Sequence, residues 1–287
     1  MKDQAEVLRK KIHHKEHKHH PKSIAVVSGK GGVGKSNFSL NFAISLSTRG
    51  HKVLLFDMDV GMGNIDILLG NTASFTIVDF FEEKQTLENI VMKGPNQLHY
   101  IAGGTGLNHL LKLDDRLLNK FTEELTTLLD HYDYVIFDMG AGVTEESLHF
   151  IVSVDEIVVV TTPEPTSITD AYAMLKHVHM RDERIPFLVV VNRVLVEKDG
   201  FDTFNRLQAV AKRFLGKELS PLGMIPDDRA IQIAVSKQTP FILEKKSPAS
   251  KALLQITDRY EEQSFIQLQS PNAFHFVSRL KRFLFER

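Results

Sequence analysis

The sequence predicts an α/β fold: a doubly wound, mostly parallel sheet with helices on both faces. Three observations predict it. Strand-like runs recur along the chain and are continuously apolar rather than alternating, as strands covered on both faces must be. Amphipathic helical stretches lie between most of them, the order that brings successive strands parallel. Several of the chain's acidic and glycine-rich segments follow strands directly, at the carboxyl ends where open α/β sheets hold ligands.

In chain order, the first strand is Ile24–Val27, which leads into Gly29-Lys-Gly-Gly-Val-Gly-Lys-Ser36 and the helical run Asn37–Leu46. The loop matches G-x-x-x-x-G-K-[ST], and strand, loop and helix form the context that motif needs. Gly29, Gly31, Gly32 and Gly34 let the backbone curl, so that N–H groups from Lys30 through Val33 to Asn37 can cradle phosphate at a helix N-terminus. Lys35 supplies positive charge to the β- and γ-phosphates, and Ser36 offers a hydroxyl to Mg²⁺. Lys30 is a second lysine where such loops normally carry one. Near the start of the loop it is predicted to point away from its own nucleotide, toward one bound by another subunit. Gly29, Gly31 and Gly34 also spell G-x-G-x-x-G, with Asp57 placed where a dinucleotide enzyme holds its ribose. A NAD site has no use for Lys35-Ser36 and does not predict Asp59 or Asp138, so the phosphate-loop reading is preferred.

The strand Val53–Phe56 ends in Asp57-Met-Asp59, and Asp59 begins a glycine-bearing loop that includes Gly61 and Gly63. That position suits a carboxylate that orients an attacking water. After Leu98–Ile101 and the helical stretch Arg116–Leu129, the strand Tyr134–Phe137 ends in Asp138-Met-Gly140. Asp138 is placed like a Walker B acid that holds Mg²⁺ through its waters; capping the next segment is the plainer alternative. Gly140 and Gly142 give its loop freedom to respond to a γ-phosphate. Lys30, Lys35, Asp59 and Asp138 are therefore the candidate catalytic set, and Ser36, Asp59 and Asp138 the candidate Mg²⁺ ligands, partly through water. Strand Glu156–Thr161, helix Ala171–His179, strand Phe187–Val191 and strand Pro221–Ile225 complete the series. Asn192-Arg193 and Pro226-Asp227 follow the last two strands, as nucleotide contacts or as plain turn residues.

The last fifteen residues, Ala273–Arg287, read as an amphipathic helix. At ~100° per residue, Phe276, Val277, Leu280, Phe283 and Leu284 share one sector, which Phe274 broadens, and Arg279 and Arg282 lie opposite. A phenylalanine-rich stripe with a basic back suits the plane of an anionic bilayer; a stripe packed on the domain is the alternative.

The 287 residues allow one large α/β domain or two small ones, and 43% hydrophobic with 25% charged residues is ordinary for a soluble globular chain. No apolar run approaches the ~18 residues of a membrane span, and the polar start is no signal peptide, so a cytoplasmic location is expected. There is no cysteine, which excludes disulfides and thiolate-held zinc or iron–sulfur clusters. The net charge of −1 is unevenly spread: residues 1–22 carry seven Lys/Arg against three Asp/Glu, leaving −5 for the remainder. A mildly acidic body argues against a broad nucleic-acid surface. The histidines between His13 and His20 are read as part of a solvated tether. The expected division is an extension over 1–22, an ATPase domain over 23–272 and the C-terminal helix over 273–287.

The double-lysine loop, Asp57-x-Asp59, Asp138-x-Gly140 and Thr162-Pro-Glu-Pro-Thr-Ser-Ile-Thr-Asp-Ala-Tyr172 resemble the deviant Walker A ATPases related to MinD, over roughly residues 22–287. Within that group, Ile101-Ala-Gly-Gly-Thr-Gly106 and Asp3-Gln-Ala-Glu-Val-Leu-Arg9 resemble the FlhG branch, also called FleN or YlxH, regulators of flagellar number and placement. The resemblance implies a P-loop NTPase fold of MinD/ParA type, ATP/ADP and Mg²⁺ as ligands, and a homodimer that sandwiches ATP. It implies that Lys30 reaches across the interface, that Asp59 and Asp138 serve the two switches, and that Asn192 meets the adenine edge with Arg193, Pro226 and Asp227 around the base. It further implies reversible binding of the C-terminal helix to the inner face of the cell membrane. The implied partners are the signal-recognition-type GTPase FlhF, stimulated through Asp3, Gln4, Leu8 and Arg9, and flagellar basal-body or C-ring components, with no specific nucleic acid. A MinD-like division regulator and a non-hydrolysing nucleotide-binding scaffold are the alternatives.

Overall fold

The computed structural model describes residues 21–59, 63–104, 115–267 and 276–285. Among the described residues, eight strands form one sheet: β1 Lys22–Val27, β2 Val53–Met58, β3 Val91–Lys93, β4 His99–Ile101, β5 Tyr134–Met139, β6 Glu156–Thr161, β7 Phe187–Val194 and β8 Ser220–Pro226. Their order is β3-β4-β2-β5-β1-β6-β7-β8, and every pair is parallel except β3–β4. The doubly wound sheet expected from the apolar runs is present.

The reason those runs are continuous is visible in β1. Ala25 and Val27 belong to the core on one face, and Ile24 and Val26 to the core on the other. The first face is covered by α4 Asp115–Leu129, α5 Glu145–Ile151, α6 Pro165–His179 and α7 Glu197–Leu215. The second is covered by α1 Lys35–Thr48, α9 Pro248–Gln267 and the short turn Phe241–Leu243. The helices α2 Ile65–Leu69, α3 Ile77–Phe81 and α8 Arg229–Ser236 fill connections.

Two details depart from the sequence expectation. The strand β3 was not foreseen, because two half-buried residues and an exposed lysine at an antiparallel edge carry no apolar run. Several strands also run further than expected: β2 passes through Asp57, β5 through Asp138, and β7 through Asn192 and Arg193. Asp57 and Asp138 therefore stand opposite each other in the β2–β5 ladder, whereas Asn192 and Arg193 fall where the pairing of β7 with β8 is irregular, between Val191 and Val194.

At the end of the chain the stripe is packed on the domain, the alternative its sequence offered. The helix α10 Phe276–Phe285 packs between α4 and α5, and Phe276, Val277 and Leu280 are buried in the same core as β5. The Phe276 ring stacks on Phe137 with centroids 4.7 Å apart. His149 meets the Phe283 ring edge-on, and its Nδ1 lies 3.1 Å from the Phe283 carbonyl. On the polar back of the helix, Arg279 donates to the Val154 carbonyl at 2.7 Å and reaches Asp155 Oδ1 at 3.3 Å. The expected division at 272/273 lies outside the described residues. A stripe of this width satisfies a sheet face as well as a bilayer, because burial of each large apolar side chain stabilises by ~1.5–3 kcal/mol in either setting. Residues 1–20, the side chains of Leu284 and Phe285, and Phe274 lie outside what is described, and with them Asp3, Gln4, Leu8 and Arg9.

Candidate functional site

The carboxyl ends of β1, β2, β5 and β7 converge on the loop between β1 and α1. Gly29 passes so close to α6 that an added Cβ would stand 2.1 Å from the Asp170 carbonyl carbon. Gly34 has φ +90°, and a Cβ there would meet Asn192 Nδ2 at 2.3 Å. Glycine is required at both places, at the first for space and at the second for conformation as well. The loop delivers Lys35 as the first residue of α1, with no side chain capping the helix N-terminus.

Lys35 is buried, with Nζ 2.8 Å from Asp138 Oδ1 and 3.3 Å from Ser36 Oγ. Asp138 is wholly buried, and the same Oδ1 accepts a hydrogen bond from Ser39 Oγ at 2.8 Å. Its neighbour across the β2–β5 ladder is Asp57. Burial first, and then the Asp138 carboxylate, push the Asp57 carboxyl up from 3.8 to about 6, against the pull of three backbone N–H groups. Those three donors are Asp59 at 3.0 Å, Asn64 at 2.8 Å and Ile65 at 3.2 Å, the last two at the start of α2. Asp57 therefore gathers the two ends of the Asp59 loop onto β2. Asp59 is half-buried and lies beside Gly140, with Asn64 Nδ2 3.3 Å from its Oδ2.

Lys30 leaves the loop in the other direction. Its Nζ lies 2.5 Å from Glu164 Oε2 and 3.1 Å from Thr166 Oγ1, at the start of α6. The Lys30 hydrogen bond and charge hold the Glu164 carboxyl below its usual range. Asn192 ties β7 to the loop by donating Nδ2 to the Val33 carbonyl at 2.7 Å. Arg193 is exposed in a left-handed conformation with φ +56°, and Asp227 N donates to the Val194 carbonyl, so Pro226 and Asp227 stand beside it at the same sheet end.

Two buried atoms of this cluster have no hydrogen-bond partner among the described residues, Asp138 Oδ2 and Asn192 Oδ1. Such atoms are costly unless something else satisfies them. A carboxylate oxygen suits Mg²⁺ or a water bound to it, and an amide oxygen suits an amino donor such as that of adenine. With a glycine loop at an uncapped helix N-terminus, the residues present fit a Mg²⁺–nucleotide. The structure brings Lys35 and Ser36 to Asp138, ties Asn192 to the loop and sets Asp59 beside Gly140, while Lys30 is held apart against the start of α6.

The family model described as "ParA: NUBPL iron-transfer P-loop NTPase" matches residues 19–260. The antiactivator FleN of Pseudomonas aeruginosa is 34% identical over 241 residues, covering 83% of this chain and 86% of the relative. The flagellum site-determining protein YlxH of Helicobacter pylori is 36% identical over 235 residues, covering 81% and 78%. The chain belongs to the FleN/YlxH (FlhG) family of MinD-like P-loop ATPases. The septum site-determining protein MinD of the same H. pylori is 28% identical over 267 residues, covering 88% and 95%. Among solved structures, MinD of Aquifex aeolicus superposes with a TM-score of 0.67 at 28% identity, covering 84% of this chain and 97% of that one.

For a FleN/YlxH chain, the iron-transfer label of the family model does not carry over to thiolate chemistry, since no cysteine is present. Four residues of this family member's site were not foreseen: Ser39, Asp57 as a loop anchor, and Glu164 with Thr166. Ser39 follows Lys35 by four residues, so helix periodicity alone places it on the same face. Glu164 and Thr166 lie within the very run that carried the resemblance.

Proposed function

We propose that this chain is an ATP-hydrolysing switch that dimerises with ATP, binds membrane reversibly and regulates flagellar number or placement together with the GTPase FlhF. The observation that carries the nucleotide part is the Lys35–Asp138–Ser39 cluster under the glycine loop, with one Asp138 oxygen left over. Within the H. pylori pair, the higher identity to YlxH than to MinD supports the flagellar role over a division role.

The chain's own residues divide the work. Loop N–H groups and Lys35 bind phosphate, so Lys35 exchanges Asp138 for the nucleotide. Ser36 and Asp138 would hold Mg²⁺, which when bound would supply charge neutralisation at the phosphate oxygens. Asp59, on a loop pinned by Asp57, orients the attacking water. Asn192 keeps Nδ2 on Val33 and therefore presents Oδ1 as an acceptor, the polarity that suits the amino edge of adenine. Lys30 leaves Glu164 to reach the partner subunit's nucleotide. The docked α10 keeps its stripe from a bilayer, so membrane binding requires its release. Two released helices on one dimer bind by avidity, with a gain of ~10²–10⁴ over one.

The segment Met1–Lys22 is proposed to stimulate FlhF, with Gln4 orienting water in GTP hydrolysis and Arg9 contacting phosphate or a carboxylate. A peptide of that span should raise FlhF GTPase activity, and Gln4→Ala should weaken it; an inert peptide beside active full-length protein would place the activating surface in the folded domain. The switch itself is tested by sizing the protein with ADP and then ATP, with and without anionic liposomes, while phosphate release is followed. Turnover with ATP-dependent dimerisation supports it. Nucleotide binding without phosphate release would leave the non-hydrolysing scaffold.

A further inference from the structure

Ser39 lies one turn beyond Lys35 on α1 and is wholly buried. A serine hydroxyl has a single proton to donate, and two acceptors lie within reach: the Lys35 carbonyl at 3.1 Å and Asp138 Oδ1 at 2.8 Å. The carboxylate is the nearer and the charged acceptor, so it takes the proton. Asp138 Oδ1 therefore has two donors, Lys35 and Ser39, and Oδ2 has none among the described residues. Only one of these donors can stay when phosphate arrives, because Lys35 is the lysine the phosphates recruit. Without Ser39, the carboxylate would lose its last side-chain restraint at the moment its second oxygen is needed.

We propose that Ser39 is a positioning residue for the divalent cation: its hydroxyl holds Asp138 by Oδ1 so that Oδ2 faces the metal–nucleotide. The proposal rests on the nucleotide-site reading above and adds to it a residue that touches neither ligand. Ser39 acts on metal affinity through Asp138 and leaves the phosphate-binding loop alone. The fold separates this role from general support of α1. A second wholly interior serine on the same helix, Ser45, bonds Thr257 on α9 at 2.9 Å, and among the described residues the side-chain donors to Asp138 are Lys35 and Ser39.

The test compares full-length wild type, Ser39→Ala and Ser45→Ala. Mn²⁺ is titrated in the presence of ADP and followed by electron paramagnetic resonance. Affinity for a fluorescent ADP analogue is measured separately in EDTA. Loss of a partner that orients a metal ligand weakens metal affinity by about 10- to 100-fold. The expected result is a weakening of that size for Mn²⁺ in Ser39→Ala alone, with metal-free ADP affinity within about twofold of wild type in both variants. Unchanged Mn²⁺ affinity in Ser39→Ala would overturn the proposal. So would equal losses of Mn²⁺ and metal-free ADP affinity, or the same loss in Ser45→Ala, each of which marks a packing role. Failure of wild type to bind Mn²⁺ with ADP would instead overturn the site reading on which the proposal stands.

Discussion

Lys35 Nζ and Asp138 Oδ1 stand 2.8 Å apart in the interior, the lysine from the first residue of α1 and the carboxylate from the next-to-last residue of β5. Both side chains are nearly inaccessible, at 7% and 0%. Each charge is therefore tolerable only because of the other, and removing one leaves its partner buried and uncompensated. Lys35→Ala should lower the stability of the nucleotide-free protein by about 3 kcal/mol or more in urea unfolding, and should also abolish ADP binding. An unchanged unfolding midpoint would mean that the pair does not form in solution.

Lys30 is paired within its own subunit. Its partner Glu164 is exposed, so the contact is a holster that solvent can open. Glu164→Ala should bring on ATP-dependent dimerisation at lower protein concentration, whereas Lys30→Ala should keep nucleotide binding and lose both dimerisation and turnover. Light scattering across a dilution series with ATP checks both. Normal dimerisation and hydrolysis by Lys30→Ala would remove the role in trans.

The docked α10 changes what a charge on its stripe should do. Phe276 is buried against Phe137, so Phe276→Glu should lower the stability of the nucleotide-free protein as well as abolish membrane binding. Asp155→Ala removes the acceptor beside Arg279 and should raise liposome co-sedimentation without nucleotide. If Asp155→Ala sediments like wild type while Phe276→Glu loses no stability, α10 is not held in solution as it is here.

Glu156 sets a pH dependence at the opposite end of the sheet. It is buried beside Lys22, with Tyr260 donating to it, and burial outweighs both partners and raises its carboxyl above the usual 4.5. A carboxyl whose folded pKa is raised binds more protons folded than unfolded. Its contribution to stability is therefore fully present at low pH and lost as pH climbs from about 4.5 through the raised value. The stability of wild type relative to Glu156→Gln should fall across that window, measured by urea unfolding at a series of pH values. A difference that does not vary with pH would contradict the shift.

The parts of this protein that were legible in its sequence are those fixed by local rules. The strand Ile24–Val27, its glycine loop and the helix after it follow from periodicity and loop chemistry, and Asp59, Asp138 and Asn192 follow from their places near strand ends. What stayed hidden depends on contacts between distant segments. Ser39 meets Asp138 across 99 positions and Lys30 meets Glu164 across 134, and neither spacing leaves a periodic trace. The stripe on α10 was read correctly as a face. Periodicity says nothing about what covers a face, and the phenylalanine-rich stripe with its basic back favours a bilayer over the sheet that covers it here. The short edge strand Val91–Lys93 lacked the length to stand out.

In the proposed switch, ATP joins two copies of this chain and Asp59 then ends the association by hydrolysis. The most direct measurement is the solution mass of Asp59→Ala with ATP and Mg²⁺, beside phosphate release. The expected result is a persistent species of twice the 32.5 kDa chain mass, with turnover reduced on the order of a hundredfold, and its loss when Lys30→Ala is added. A variant that stays at the mass of one chain with ATP would contradict it.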